Sequence, residues 1–370
     1  MGQKIKITEL YIYPIKSLRP LSVGTAQLRR EGLRFDRRFM LLKAEADGTY
    51  KNIQTAYFPE CTLFSQALDL ETRHVVVEYR VPARPPAEQR GQLRVPLDPS
   101  TDGVAAVAVK LFGSDTVAYR VGGAYDDWFS ACLGYRAALV YIGDNRRRVL
   151  AHAPPSGRPQ PSGQSWLSSL MSAAYQWSSG GGEAAEDAVL TFNEAAPFLL
   201  TSRASLRDVS ARLPEGEDMD MVRFRPNIVV DLVSDDDDDD DEQSATLTAW
   251  EEDFWAELLI RNTHRLALTA NCARCISINI DYSTGRPGTG EAGSVLKKLM
   301  KDRRVDAGNK WSPIFGRYAF LLPPTAPPTP ASDADGGLGR VTDLVADVAV
   351  GDEVKVTKRI IERDVWAWPK

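Results

Sequence analysis

Cysteine and histidine are scarce in this chain: four cysteines (Cys61, Cys132, Cys272, Cys275) and three histidines (His74, His152, His264) in 370 residues. Two cysteines are isolated and two form one C-x-x-C pair, too few for a disulfide framework and suited to a reducing compartment. A structural zinc site needs a second such pair or paired histidines, and the sequence has neither. No apolar run approaches the ~20 residues of a membrane-spanning helix. No basic stripe interleaved with aromatics occurs, which argues against nucleic acid as a partner. Met1 to Ile7 enters strand-like alternation at once, with no signal-peptide core and no space for an Arg-rich presequence, and Gly2 lacks the Ser or Thr at position 6 that myristoylation requires. The expected address is cytoplasmic; mitochondrial association is left open, without a presequence or anchor to support it.

What is present is ordinary globular composition, 43% hydrophobic and 26% charged. The length suits roughly two units of ~150 residues. The net charge of -5 is dominated by one run, Asp235 to Asp241 followed by Glu242. Without it the chain is weakly basic, and the run reads as a disordered loop tip. An ion-binding or docking role is its other reading, although it lacks the spacing and the Gly turn of a calcium loop.

Apolar alternation predicts a strand from Ile5 to Tyr13 that breaks at Pro14. Phe39–Leu42, His74–Tyr79 and Val104–Leu111 read as further strands, so the first ~120 residues form a sheet or barrel and not a βαβ array. Tyr125, Trp128, Phe129 and Cys132 share one face of a helix, with Asp126 and Asp127 in its first turn. His152 to Glu183 is a Pro-, Ser- and Gly-rich insert. Within it, Trp166 to Tyr175 has helical spacing, either a lid or a surface that docks a partner or a membrane. Thr201 or Ser202 caps a helix to Leu213, stopped by Pro214. Phe224 to Asp231 reads as a buried strand, and Trp250 to Ile260 as a short helix entering a strand. Leu266 to Ala270 leads into Cys272-Ala273-Arg274-Cys275, and Ile276, Ile278 and Ile280 alternate after it. A turn at 283–293, a helix through Val295 and Leu299, a loop at 323–337 and a final turn and strand at 348–356 complete the pass. No internal repeat is evident.

The C-x-x-C pair admits three chemistries. A redox dithiol wants its first cysteine at a helix N-terminus, whereas the downstream residues read as a strand. Zinc lacks ligands. The third is a single soft thiolate holding a redox metal carried by an organic cofactor, with Arg274 beside it favouring the thiolate. Composition does not choose among them.

The motifs do. Tyr13-Pro14-Ile15-Lys16-Ser17, the stretch Gly32 to Met40 (GLRFDRRFM), Pro197-Phe198-Leu199-Leu200 with Ala204-Ser205-Leu206, Phe224-Arg225-Pro226-Asn227-Ile228-Val229, Cys272-Ala273-Arg274-Cys275, Asp281 with Thr284-Gly285, Phe315-Gly316 and Val350 to Val354 (VGDEV) occur in this order. As a set they resemble the MOSC-domain family, and within it the amidoxime-reducing branch. The resemblance implies an α+β, mainly β fold: an N-terminal β-barrel-like domain (1–122), a helix and connecting insert (123–185), and a β-barrel MOSC domain with short flanking helices (186–362) carrying the disordered acidic loop at 234–245.

It also implies a molybdenum cofactor with Cys275 as metal ligand and catalytic centre. Lys16, Ser17 and Arg37 match the residues that hold the cofactor's phosphate, two by charge and one by donating a hydrogen bond. Arg225 and Asn227 match pterin- and metal-side contacts, two apart on a strand and so on one face. Ala195-Ala196 stands where relatives have Thr-Ser, which leaves only backbone N–H groups to serve there. Asn193 and Glu194 are neighbouring candidates.

The implied activity is reduction of N-hydroxylated compounds such as amidoximes and hydroxylamines. With no cysteine after Cys275 to build an iron–sulfur domain, electrons are expected from a separate donor, a b-type cytochrome and its flavin reductase. The membrane anchor of animal relatives is not seen. A non-catalytic cofactor carrier or persulfide sulfur-transfer protein is the alternative, and a degenerate relative without cofactor ranks last. Pyridoxal phosphate binding is a further family-level association.

Overall fold

The structure, a computed structural model, describes residues 4–81, 91–154, 188–233, 247–323 and 346–369. The acidic run, the Trp166–Tyr175 segment and nearly all of the 323–337 loop lie outside these residues.

An eight-stranded sheet forms the larger body, in the order Leu21–Val23, Lys4–Ile12, Ile228–Val233, Phe198–Ser202, Ile314–Leu321, His264–Ala273, Trp255–Ile260, Val354–Arg359. The N-terminal strand Lys4–Ile12 thus sits inside a sheet whose other long strands come from residues 198–359. It pairs antiparallel with Ile228–Val233, its register shifting between Ile7 and Glu9. The sheet nearly closes on itself. Ile7 N–H donates to Asp352 O at 2.9 Å, Gly351 N–H donates to Ile7 O at 2.8 Å, and Lys6 bridges Glu353. Closure removes the exposed edges that would template aggregation. Its interior is filled by Ile7, Leu10, Phe198, Ile228, Trp255, Leu258, Leu268 and Ala319.

The one parallel pair in this sheet, Phe198–Ser202 with Ile228–Val233, needs a crossover, supplied in part by the helix Arg203–Ser210. Ser202 caps that helix by accepting from Ser205 N–H at 3.0 Å, worth about 1 kcal/mol. The helix ends at Ser210 and not Leu213, because Leu213 N–H turns back to Ser210 O at 2.8 Å before Pro214.

The smaller body is a five-stranded sheet, Ala106–Leu111, Ser114–Arg120, Ala137–Tyr141, Phe39–Ala44, Tyr50–Asn52, beside a three-stranded one, Phe64–Asp69, His74–Tyr79, Leu93–Pro96. The helix Gly123–Leu133 packs on it with the expected face. Phe129 and Cys132 are buried, and Tyr125 and Trp128 are partly so, against Phe39, Phe64 and Leu139. Gly134, at φ 79°, ends the helix in the left-handed conformation that glycine adopts without strain.

Two expected strands begin later than the alternation suggests. Met221–Phe224 is a 3₁₀ turn, Arg225 takes φ 55°, and the strand begins only at Ile228. After Cys275 the chain forms a second 3₁₀ turn, Ile276–Asn279, whose alternating isoleucines mimic a strand in sequence. Pairing, not alternation, defines a strand, and the neighbouring strand Ile314–Leu321 is already matched to His264–Ala273.

Candidate functional site

The seam between the two bodies holds one cavity, lined from the N-terminal side by Lys16, Ser17, Arg37 and Gln54–Ala56, and from the other by Asn193, Glu194, Ala196, Leu199, Arg223–Arg225, Asn227, Ala273–Cys275, Ser277 and Tyr318. Of the residues singled out from sequence, Lys16, Ser17, Arg37, Ala196, Arg225, Asn227 and Cys275 meet there. Ala195 does not line it; it packs behind the wall against Val149, Leu190 and Ala270.

The strand Lys4–Ile12 stops at Tyr13-Pro14, and the chain is pinned beneath the five-stranded sheet by Lys16 N–H donating to Phe39 O at 2.8 Å. The Lys16 side chain is buried, 5% exposed, and its ammonium has no hydrogen-bond or ion-pair acceptor among the described residues. Burial presses its pKa down to about 7; Glu194 opposes this, while Arg37, Arg225 and Arg147 add to it. Ser17, at φ 75°, gives its hydroxyl proton to Ile53 O at 2.9 Å. With that proton engaged, what Ser17 turns to the cavity here is acceptor capacity and backbone, where a hydroxyl donor was expected.

Arg37 is held on three sides. It pairs with buried Asp36 at 2.5 Å, donates to Asn227 Oδ1 at 3.3 Å, and lies over the Tyr13 ring, 4.4 Å from its centroid. Arg225 lies over the same ring at 4.4 Å. Its Nη1 donates to Leu18 O at 3.0 Å, while its Nη2 is buried with no hydrogen-bond partner. Because Arg225 precedes the strand in a left-handed conformation, it reaches the cavity through a turn and not through strand alternation. Asn227 spends its carboxamide on the fold: Oδ1 accepts from Leu199 N–H at 3.2 Å, and Nδ2 donates to Tyr11 O at 3.2 Å. It shapes the wall and leaves little capacity for a ligand.

At the far end Cys275 is exposed, its sulfur 3.2 Å from Ser277 Oγ. Cys272 is buried 3 residues earlier, and burial raises its pKa. Arg274 is a clamp. Its guanidinium donates to Phe315 O at 2.6 and 2.9 Å and to Phe224 O at 2.8 Å, tying the cysteine loop to the Met221–Arg225 turn. Gly316, next to Phe315, lets the strand Phe198–Ser202 lie close: at φ 80°, an added Cβ would meet Leu200 O at 2.7 Å.

Two residues were not anticipated as they stand. Arg147 is fully buried and donates to Asn193 O at 2.7 Å and Leu111 O at 2.8 Å, fixing the loop before Ala195-Ala196. In sequence it is one of three consecutive arginines, and its partners lie some 40 residues away. Tyr318 donates to Glu194 Oε2 at 3.3 Å. Crowding opposes ionisation of Glu194, but Lys16, Arg37, Arg274 and Arg225 outweigh it and hold the carboxyl below its usual range. Among the described residues the N–H groups of Ala195 and Ala196 donate to no hydrogen bond.

Fold and site together define a two-body β protein that offers one accessible thiol and a buried cationic recess in a single cavity. Residues 187–355 match the MOSC domain, and residues 4–136 match the MOSC N-terminal beta barrel domain. The chain belongs to the MOSC-domain family. It is 27% identical over 328 residues to mitochondrial amidoxime-reducing component 1 of Mus musculus, covering 86% of this chain and 78% of that protein. It is 26% identical over 317 residues to the Danio rerio protein of that name, covering 84% and 79%. A molybdenum cofactor sulfurase of Oryza sativa is 26% identical over 294 residues, 76% of this chain and 29% of that protein. Among the described residues no helix is long and apolar enough to cross a membrane.

Proposed function

We propose that the cavity binds a molybdenum cofactor and that the protein reduces N-hydroxylated compounds such as amidoximes and hydroxylamines, with electrons from a separate b-type cytochrome and flavin reductase. The carrying observation is the donor set: an exposed soft ligand, Cys275, lines the same cavity as buried Lys16 and the unpartnered Nη2 of Arg225. A sulfur-bound redox metal suits the first, and a phosphate suits the others. The Ala196 N–H group remains available in the cavity wall where a hydroxyl is missing.

When bound, the cofactor supplies two-electron oxygen-atom chemistry that breaks the N–O bond and releases water. The chain's own residues do the rest. Cys275 holds the metal, Lys16, Arg37 and Arg225 neutralise the phosphate, and Asn227 and Arg274 fix the two loops that carry them. Pyridoxal phosphate forms no part of this reading. A cytoplasmic address remains the reading from sequence, while the amidoxime-reducing relatives are mitochondrial by name.

A second reading rests on the resemblance to the sulfurase: a carrier of the cofactor, or of sulfur as a persulfide on Cys275. One experiment separates them. The protein is expressed in a host that makes molybdopterin and in one that does not, and metal content and N-reductase activity with supplied electrons are compared. Turnover only from the competent host supports the reductase. Bound molybdenum without turnover under any donor favours the carrier, and no bound molybdenum defeats the reductase and the cofactor carrier alike.

A further inference from the structure

Residues after 355 lie beyond the match to the MOSC domain, yet the chain runs back to pack Trp366 against Tyr318 of the cavity wall. Asp364 is ion-paired to fully buried Arg317, and its carbonyl accepts from Asn271 Nδ2 at 2.9 Å. Trp366 stacks on His152 at 5.0 Å, and Ala367 N–H donates to His152 Nε2 at 2.9 Å. Trp368 stacks in turn on Trp366, and its indole N–H donates to the carbonyl of Phe112 at 2.9 Å.

Phe112 occupies a position that phenylalanine disfavours. With Gly113 it makes the two-residue turn between Ala106–Leu111 and Ser114–Arg120, at φ 51° and 82°. Such turns prefer Asn or Asp before Gly. A bulky residue held in the left-handed region points to a constraint other than the turn itself. Here the carbonyl before it, Leu111 O, is gripped by Arg147, and its own by Trp368. The ring so fixed lies 5.3 Å from Lys16 Nζ. The charged groups acting on that ammonium are Glu194, Arg37, Arg225 and Arg147.

We propose that the C-terminal tail is a latch for the anion end of the cavity: Trp368 holds Phe112, and the Phe112 ring shields one side of the Lys16 ammonium from water while leaving it unpaired for a phosphate. The ring attracts the cation without supplying a counter-charge. A cation deprived of water interacts more strongly with an incoming anion. The role of the phosphate rests on the function proposed above; the state of Lys16 does not.

The test uses full-length protein labelled with ¹³C-lysine, with the Lys16 Cε resonance assigned by its loss in Lys16→Arg. Trp368→Phe keeps a ring and removes the N–H. Phe112→Asn suits the turn and removes the ring. Each is expected to raise the Lys16 titration midpoint by about one unit or more, as water reaches the ammonium. Each should also lower the molybdenum retained through gel filtration several-fold, while Phe112→Asn melts no lower than the parent. Unchanged midpoints in both variants overturn the latch, as does a lower melting temperature without a midpoint change. A parent that retains no molybdenum from a competent host defeats the proposed function, while the lysine titration, made on cofactor-free protein, still decides the latch.

Discussion

The two ends of the cavity are built on opposite plans. At one, Cys275 stands in solvent with a single polar neighbour, Ser277 at 3.2 Å. At the other, Lys16, Arg37 and Arg225 are packed into protein, and each solves its burial differently. Arg37 has Asp36, Asn227 and Tyr13; Arg225 has Leu18 O and Tyr13; the Lys16 ammonium has an aromatic ring and the attraction of Glu194, but no hydrogen-bond acceptor among the described residues. A charged residue that completes a network serves the fold as well as any ligand. A buried charge left without a partner is a cost that only a ligand explains. The sulfur end and Lys16 should therefore tolerate substitution structurally and fail functionally, while Arg37 should fail at both.

The sharpest break of this contrast is at the sulfur. Cys275→Ser should lower N-reduction by more than ~100-fold, the ceiling for residues that act only behind a ligand. Its melting temperature should stay within about 2 °C of the parent, since the residue is exposed. Retained turnover with full metal loading refutes the ligand assignment.

Arg37→Ala should cost about 3–5 kcal/mol in urea denaturation, because it strands Asp36, which is 1% exposed. The Tyr13 N–H and Asn193 Nδ2 bonds to Asp36, at 2.8 and 3.3 Å, place the effect near the lower figure. A neutral result would mean the pair is not part of the frame.

Lys16→Met should go the other way, gaining about 1–4 kcal/mol by the rule for buried charges replaced by apolar groups, while cofactor retention falls. The sign depends on pH. Folded Lys16 titrates near 7, whereas an unfolded lysine titrates near ~10.4, so across that window the unfolded chain binds more protons and the parent grows more stable as pH rises. The advantage of the variant is thus full below pH 7 and fades toward pH 10. An advantage that does not change with pH would break the comparison.

The smallest expected effect is at Cys272. Cys272→Ala should leave turnover within about twofold and cost about 1 kcal/mol, the loss of one small buried group.

The sequence was most informative where identity and local conformation coincide. The strand Lys4–Ile12, the apolar face of Gly123–Leu133 and the Ser202 cap were legible because neighbours a few residues apart decide them. Motif order also brought seven of the eight singled-out site residues to one cavity. What stayed hidden depends on distant partners. Three alternating isoleucines after Cys275 read as a strand, but Ile276 and Ile278 lie in a 3₁₀ turn and only Ile280 pairs, in a two-residue strand against Arg286–Pro287. Arg225 and Asn227 were expected on one strand face; instead Arg225 takes a left-handed conformation after a 3₁₀ turn and Asn227 sits just before the strand. Arg147, one of three consecutive arginines, carried no local signal, since its role depends on the distant carbonyls of Leu111 and Asn193. The engaged proton of Ser17 is of the same kind, since Ile53 lies 36 residues away.

The near-closed sheet places Lys4–Ile12 between the nearby strand Leu21–Val23 and the strand Ile228–Val233, which arrives more than 200 residues later, and its seam with residues 351–353 comes later still. During synthesis at roughly 5–20 residues per second, that first apolar strand must wait many seconds for its second neighbour. Until then Ile7 and Leu10 are exposed to any other unpaired chain. Biogenesis of this protein should accordingly be more sensitive to crowding on polysomes and to chaperone supply than the finished barrel is to heat, and cutting the gene at the boundary between its two domains should yield two fragments that aggregate apart and recover only when made together.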